Sequence, residues 1–323
     1  MKYGIIGTGW ISRSFIDGAR LACDAEITAV YSRTAERGRD FALDNNIPSV
    51  YTDLEEFAKG DFDAVYIASP NAFHAKHSLF MLESGKHVIC EKPLAVTPEE
   101  IEQCAAKARE KGLIYMEAIM HMHSPDREAL KDALGELGVI TSAHFDFSQL
   151  SSKYPAYERG ETPNIFNPKL ATGCLMDLGV YCVYPALDLF GLPDKITADA
   201  AFLRTGADGS GNASFNYGDK LVTLTYSKTG QDRCGSQICG DRGTVTVGSI
   251  SKLQDMEITD NSGNSRALCP DRSKEEIMGF EAFEFEKFIV NPDDEKYALC
   301  SRMSLEVSRV MKQIREICNI RFD

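Results

Sequence analysis

Lys92 directly follows a predicted strand, a position at which enzymes often have a proton-transfer group. Lys92 belongs to the run Glu91-Lys92-Pro93, directly after the apolar residues Val88 and Ile89 of a predicted strand. Open α/β sheets bind ligands beyond the carboxyl ends of their strands. A partly buried amine there is a usable proton donor and acceptor. Pro93 is expected to hold the turn in a fixed shape, for which a cis bond is one means. Taken alone, the three residues are more typical of a plain surface turn.

Two glycines near the start predict a dinucleotide site. The pattern Gly7-x-Gly9-x-x-Ser12 follows the first predicted strand and opens a helix, which is the context in which it carries weight. Gly7 permits a tight turn, and Gly9 lets the backbone approach a pyrophosphate that the helix N-terminus attracts. Ser12 stands where Gly or Ala is usual, and it is small enough to pack against the strand. An ordinary strand-to-helix turn is the alternative.

The end of the second predicted strand favours NADP as the cofactor, with NAD as the alternative. NAD sites tend to place an acidic residue there to bind the ribose 2′-hydroxyl. This chain instead has Ser32 and Arg33, with Arg37 one helical turn later. A guanidinium offers a planar, permanently charged fork that suits a 2′-phosphate. The alternative is a pair of arginines that are simply solvated on a loop.

Four segments together resemble the glucose–fructose oxidoreductase, inositol dehydrogenase and rhizopine catabolism family, known as Gfo/Idh/MocA. They are the glycine turn, Ser69-Pro70-Asn71-Ala72-Phe73-His74, Glu91-Lys92-Pro93 and the run from Gly173 to Tyr181. The resemblance spans most of the chain. It implies that Lys92 lies beside the nicotinamide and that Asp177 and Tyr181 complete the catalytic site.

The spacing of the last two residues fits the role that the resemblance implies. Asp177 and Tyr181 are four residues apart on a predicted helix, so they share one face and can contact one ligand. Tyr181 is expected to exchange the hydroxyl proton, with Lys92 assisting it or taking the proton itself. Asp177 is expected to orient a substrate hydroxyl or the lysine. Without the resemblance, a packed helix aromatic would be the better interpretation of Tyr181.

Two departures from the family pattern bear on the substrate. Tyr181 stands where many sugar and inositol dehydrogenases of the family have histidine. In having tyrosine at this position, the chain resembles the family branch that contains glucose–fructose oxidoreductase, NADP-dependent xylose dehydrogenase and dimeric dihydrodiol dehydrogenase. The run Met116-Glu117-Ala118 is also similar to that branch. The paired glycines before the aspartate are Ala171-Thr172 here, and only Gly173 is kept.

The predicted cofactor contacts come from the glycine turn, the second strand end and two later motifs. These residues are Gly7, Gly9, Trp10, Ile11, Ser32, Arg33, Arg37, Ser69, Pro70, Asn71, His74, Glu91 and Lys92. Trp10 is expected either to lie over the cofactor or to staple the helix start. The resemblance implies that His74 belongs to a turn beneath the nicotinamide ribose, whereas a simple helix cap is the alternative. No metal site is predicted, because His121-x-His123 lacks an accompanying set of ligands with metal spacing.

The order of predicted elements indicates two domains. Residues 1–120 alternate strands with helices, which predicts an NAD(P)-binding Rossmann-type domain with a doubly wound parallel sheet. Residues 121–323 group their strands between 138 and 248 and flank them with helices, one of them at 174–190. This order predicts an α+β domain for substrate binding and dimerisation, built on a largely antiparallel open sheet. The fold class is therefore α/β.

Composition excludes some classes of function. The 323 residues carry 35 Lys+Arg against 48 Asp+Glu, a formal net charge of −13. That acidity argues against a general affinity for nucleic acid or anionic membranes. The ten cysteines include no C-x-x-C pair, which favours reduced thiols in the cytoplasm. We see no leader, and no apolar run near the roughly 20 residues that a membrane helix needs.

We therefore expect an NADP(H)-dependent oxidoreductase. It would transfer a hydride between nicotinamide and a hydroxyl-bearing carbon of a sugar, polyol or cyclic diol. One alternative is a nucleotide-sensing regulatory protein that binds the cofactor without turnover, and another is a cofactor-assisted enzyme that cleaves glycosides. A homodimer is expected, because an open apolar sheet face would need to be covered.

Overall fold

The computed structural model describes residues 1–322, which form two compact units. The first combines residues 1–123 with residues 273–305, and the second combines residues 124–272 with the chain from residue 306 onward. The last helix, Glu295–Cys318, is shared between them. The division into functional domains at residue 120 stays a prediction. The compact first unit differs from it by including residues 273–305.

The first unit contains a six-stranded parallel sheet. Its strands β1 to β6 are Lys2–Ile6, Glu26–Tyr31, Ser49–Tyr51, Ala64–Ile67, His87–Glu91 and Tyr115–Ala118. The order across the sheet is β3-β2-β1-β4-β5-β6. The direction of winding reverses between β1 and β4, and doubly wound sheets bind dinucleotides beyond that point. The predicted Rossmann-type fold is confirmed, although the sequence did not indicate the short β3.

Helices follow these strands, and the cores of β1, β4 and β5 consist of buried residues, as expected for a sheet covered on both faces. Helices α1 to α6 are Trp10–Cys23, Ala35–Asn45, Leu54–Ala58, His74–Glu83, Pro98–Lys111 and Met120–His123. Helix α5 begins with a complete capping box between Thr97 and Glu100, which satisfies two backbone N–H groups of its first turn. A further helix of this unit, Lys274–Val290, packs along α1, where Gly18 and Gly279 let the two backbones approach.

The second unit contains an eight-stranded mixed sheet. Its strands β7 to β14 are Ile140–Ser148, Lys195–Phe202, Asp208–Asn216, Leu221–Ser227, Ser236–Gly240, Gly243–Ser249, Gln254–Asp260 and Ser265–Ala267. The order is β14-β13-β12-β11-β7-β10-β9-β8, in which only β7 and β10 pair in parallel. The largely antiparallel sheet is therefore confirmed, and the strands after residue 250 were missed. The unit also contains helices α7 to α9, at Asp126–Glu136, Tyr154–Glu158 and Val180–Phe190.

The two faces of this second sheet differ in polarity. Helix α9 packs against β7 and β10, and Phe145, Val222 and Leu224 on those strands are completely buried. Alternate positions on the same strands carry polar side chains, and His144 hydrogen-bonds Thr223 there with a separation of 2.9 Å. The expectation of a homodimer rested on an apolar open face, and these positions do not provide one.

One stretch of the second unit is more apolar than the sequence-based expectation allowed. Residues Pro168–Phe190 are long and apolar enough to cross a membrane by length and composition alone. Of the most apolar window in this stretch, 78% is buried inside the structure. The core helix of a soluble protein shows the same combination of length, composition and burial.

Candidate active site

The two glycines of the first turn meet different steric demands. Gly7 has φ +115°, and a Cβ there would lie 2.5 Å from the carbonyl oxygen of Ala68. A side chain is excluded at Gly7 by both the conformation and the neighbouring backbone. A Cβ at Gly9 would meet no atom within 4 Å. The space beside Gly9 is therefore open, as close approach of a ligand to the backbone requires.

The start of helix α1 is suited to an anion. Its N-cap residue, Gly9, makes no side-chain cap, and its first turn contains no acidic residue. The first backbone N–H groups of a helix lack partners within the helix and favour negative charge. Trp10 is 70% exposed, and the Lys274 ammonium lies 3.6 Å from the centre of its indole ring. Ser12 is fully buried, in agreement with close packing of this turn. Ile11 is half-buried.

The end of β2 presents two arginines without acidic partners. Arg33 and Arg37 are exposed, and neither makes a hydrogen bond or ion pair with any residue in the described range 1–322. Ser32 is buried, and its N–H donates to the Tyr51 carbonyl at 3.0 Å. Two available guanidiniums at this strand end suit an anionic group such as a 2′-phosphate.

His74 links the two motifs that follow β4 and β5. Its Nδ1 lies 2.8 Å from the Pro93 carbonyl oxygen, and its Nε2 lies 2.7 Å from the Ser69 carbonyl oxygen. Burial lowers the pKa of His74, whereas the contacts with the two backbone carbonyls oppose that fall. Ser69 also hydrogen-bonds His77, with a 3.0 Å separation between Oγ and Nδ1. The ring therefore ties the turn at Ser69-Pro70-Asn71 to the turn that carries Lys92.

Lys92 is half-buried at the end of β5, in the position that the sequence predicts. Its N–H donates to Oε2 of Glu91 at 3.3 Å, and Oε1 of the same carboxylate accepts a 2.5 Å hydrogen bond from the Tyr66 hydroxyl. The Lys92–Pro93 bond is cis. The Glu91 side chain thus connects the lysine backbone to the interior of the sheet.

A third carboxyl group joins Glu91 and Glu117 inside this unit. Glu117 accepts from the Leu94 N–H at 2.9 Å. Glu281, on the helix Lys274–Val290, is buried, and its carboxyl oxygens have no hydrogen-bond partner within the described chain. Burial, followed by the charges of Glu91 and Glu117, raises the pKa of Glu281 well above its usual range. The protonated, neutral form of Glu281 is therefore favoured over the carboxylate.

In the second unit, Asp177 lies in a segment of unusual helical geometry. Residues Leu175–Gly179 form one turn of π-helix, which continues into α9 at Val180. The sequence predicts a helix over 174–190, and the structure shows that its first turn is π-helical rather than α-helical. Single π-turns within helices frequently mark functional sites. The Asp177 side chain is 31% exposed, so it is accessible to a small molecule.

A buried aspartate anchors the start of this turn. Asp208, on β9, is fully buried and accepts a hydrogen bond of 2.6 Å from the Leu175 N–H. Burial raises the pKa of Asp208, whereas its backbone donors and Lys228 oppose that rise. A Cβ at Gly173, which has φ +139°, would collide with the Asp208 carboxylate. The retained glycine of the family pattern therefore makes room for the aspartate.

A lysine that sequence reasoning missed contacts Asp177. Lys228 follows β10 directly, its side chain is 2% exposed, and its ammonium forms an ion pair with Oδ2 of Asp177. Lys228 lies 51 residues from Asp177 in the sequence, so no local spacing could indicate the pair. The run Thr225-Tyr226-Ser227-Lys228 provides one signal, a lysine directly after an alternating strand.

Tyr181 is the second residue of helix α9, directly after the π-turn and Val180. It is 9% exposed, and its ring packs edge-to-face on Phe147 at 5.4 Å. The residue is therefore both a packed helix aromatic and a candidate proton-transfer group. Its packing against β7 restricts where the hydroxyl lies.

The structure also explains how Ala171 and Thr172 are accommodated where the family pattern has paired glycines. Ala171 has φ 52°, a left-handed conformation that glycine adopts more readily. The Thr172 hydroxyl donates to the carbonyl oxygens of Asn164 and Asn167, at 3.0 and 2.8 Å. Threonine thus fastens the preceding loop, a bond that glycine has no side chain to make.

The paired histidines form no metal site with the surrounding side chains. His121 and His123 are both buried in the four-residue helix α6. Within residues 1–322, no group of three or more His, Cys, Asp or Glu side chains is arranged to hold a metal ion.

Comparisons with known proteins agree with this geometry. The profile described as oxidoreductase family, NAD-binding Rossmann fold, matches residues 1–119, and that of the GFO/IDH/MocA C-terminal domain matches residues 128–246. The chain is 36% identical to scyllo-inositol 2-dehydrogenase (NADP(+)) IolU of Bacillus subtilis (strain 168), over 98% of this chain and 96% of that protein.

Two further similarities extend the comparison. The chain is 33% identical to trans-1,2-dihydrobenzene-1,2-diol dehydrogenase of Bos taurus, over 76% of this chain and 74% of that enzyme. Among solved structures, KijD10, a 3-ketoreductase from Actinomadura kijaniata in complex with NADP and TDP-benzene, superposes with a TM-score of 0.87. It is 22% identical and covers 98% of each chain, so this match shows the fold alone.

Proposed function

The chain belongs to the Gfo/Idh/MocA family of oxidoreductases, and we propose that it transfers a hydride between NADP(H) and a hydroxyl-bearing carbon of a sugar, polyol or cyclic diol. It is an NADP-dependent enzyme acting on CH–OH groups. The observation that carries the substrate class is the exposed Asp177 carboxylate in the π-turn, with Tyr181 four residues later. Both are groups that hydrogen-bond hydroxyls.

The first unit fits the dinucleotide by its own residues. The open side of Gly9 and the uncapped start of α1 suit the pyrophosphate. Arg33 and Arg37, beside Ser32, suit the 2′-phosphate. The other proposed contacts are Gly7, Trp10, Ile11, Ser69, Pro70, Asn71, His74, Glu91 and Lys92. When bound, the nicotinamide supplies or accepts the hydride.

Proton handling is assigned to the chain's own side chains. Lys92 exchanges the proton of the substrate hydroxyl, directly or through Tyr181, while Asp177 orients the substrate through a hydrogen bond. Positioning these groups and matching the proton transfer to the hydride transfer supply most of the rate acceleration. We also propose that the protein is soluble and cytoplasmic.

Turnover of a substrate panel tests the activity. Purified protein with NADP is given scyllo-inositol, D-xylose and trans-1,2-cyclohexanediol while the absorbance of reduced nicotinamide is followed. Lys92→Ala should lower kcat by roughly 10²–10⁴-fold, the usual contribution of a general acid–base group. The exposed Lys59→Ala serves as the control. A loss below tenfold for Lys92→Ala would contradict the assigned mechanism.

The same assay separates other activities of this fold. Tight NADP binding without turnover of any substrate would indicate a nucleotide sensor. Release of free sugar from a glycoside at constant absorbance would indicate transient hydride transfer.

Cofactor choice is tested at the end of β2. Arg33→Ala should weaken NADP relative to NAD by roughly 10- to 100-fold, because a charge-assisted contact to the 2′-phosphate is lost. Arg39→Ala, on helix α2 directly after this loop and also exposed, is the control. An unchanged NADP-to-NAD ratio of dissociation constants would overturn the assignment of Arg33.

A further inference from the structure

Lys228 is buried far more completely than the carboxylate that it contacts. The lysine side chain is 2% exposed and the Asp177 side chain is 31% exposed. The backbone N–H of Lys228 donates to the Gly209 carbonyl at 2.9 Å, so the lysine backbone lies beside strand β9. No other lysine within residues 1–322 is buried to this degree. An ammonium is costly to remove from water unless it is paired.

The groups that face this ammonium come from three neighbouring segments. Asp177 lies in the π-turn, Asp208 lies on β9, and Cys174 lies directly before the turn. Burial raises the pKa of both the Asp208 carboxyl and the Cys174 thiol, whereas the charge of Lys228 opposes both rises. Asp208 already uses Oδ2 to accept from the Leu175 N–H. Asp177 is the group that forms the direct ion pair.

We propose that Lys228 is a positioning residue for the reaction, which holds Asp177 as an oriented carboxylate that accepts hydrogen bonds from the substrate. This inference rests on the proposed function. The Asp177 side chain is 31% exposed, so a substrate hydroxyl can reach the carboxylate while Lys228 fixes its orientation.

The first experiment measures kcat/KM against pH for wild type and Lys228→Met. The thioether side chain fills much of the same space without the charge. We expect a fall of about 10- to 100-fold and a displacement of the acid side of the profile to higher pH, because the buried cation no longer favours the carboxylate. Lys131→Met is the matched control, since Lys131 pairs with the buried Asp188 at 2.8 Å elsewhere in this unit. The control should keep the wild-type profile.

The second experiment combines Lys228→Met with Asp177→Asn. If Lys228 acts through Asp177, the double variant should lose no more activity than Asp177→Asn alone. Losses that multiply, or a wild-type pH profile for Lys228→Met, would overturn the proposal.

A measurement without substrate keeps this inference separate from the proposed function. In urea unfolding, the double variant should unfold at a higher urea concentration than Asp177→Asn, because it no longer buries an ammonium without its main partner. Additive midpoints would contradict the ion pair even if no substrate were turned over. Absence of turnover in wild type together with non-additive midpoints would instead count against the proposed function alone.

Discussion

The two units neutralise their buried acidic groups in opposite ways. In the first, burial raises the pKa of the Glu281 carboxyl, and the nearby charges of Glu91 and Glu117 raise it further. In the second, Asp177 faces the ammonium of Lys228 in a direct ion pair. A proton compensates the first group, and a fixed cation compensates the second.

The difference decides how each unit responds to pH. A proton taken up on folding is released again when the solution becomes alkaline, so its stabilisation depends on pH. The Asp177 carboxylate is instead compensated by the Lys228 ammonium in direct contact with it. The same chemical change, from a carboxyl to an amide, should therefore have opposite effects on stability in the two units.

Asp177→Asn should have the largest effect. It removes the direct partner of a lysine that is almost completely buried, and breaking such a pair costs about 3 kcal/mol of unfolding free energy. Urea denaturation monitored by circular dichroism measures the change. Asp219→Asn is the control, because Asp219 pairs with Lys220 at the exposed surface of the same unit. An equal change for the two variants would remove the distinction between the units.

Glu281→Gln should stabilise the first unit increasingly as pH rises. In wild type the pKa of Glu281 is raised by burial, so the folded protein holds a proton that the unfolded chain releases above its ordinary pKa. Stability is then lost as pH rises from that ordinary value toward the folded pKa, by about 1.4 kcal/mol per pH unit. The amide has no proton to lose, so its advantage should grow as pH rises above the ordinary carboxyl pKa.

Unfolding free energies at several pH values test this slope. Glu275→Gln, an exposed position on the same helix, should run parallel to wild type. Parallel curves for Glu281→Gln and wild type would mean that Glu281 is charged in the folded protein.

Ala171→Gly should have the smallest effect, a gain of about 0.5–1 kcal/mol. Both Gly7, before helix α1, and Ala171, before the π-turn, have a positive φ, but only the first position is a glycine. Glycine at 171 relieves that strain, although it increases the freedom of the unfolded chain. Thermal unfolding measures the gain, and Ala156→Gly, in helix α8, should instead lose stability.

Local sequence patterns were sufficient to predict much of the structure of the first unit. The tight turn at Gly7, the capped start of α5 and the strand that ends at Glu91 each depend on a few adjacent residues. Sequence reasoning missed β3 and the strands after residue 250, because short or partly polar strands lack a strong periodic signal. It also predicted a helix for the Asp177 segment without its π-helical turn, since nothing in its residue types indicates a π-turn.

The sequence by itself determined the family, the nucleotide turn and the residue types available for proton transfer, because those follow from short motifs and strand–helix order. Only the tertiary structure decided which charges oppose one another. Lys228 and Asp177 are separated by 51 residues, and Glu281 lies far along the chain from Glu91 and Glu117. Burial in a shared interior determines whether such groups are compensated by a proton or by a cation. That burial arises from packing of distant elements, which no local spacing records.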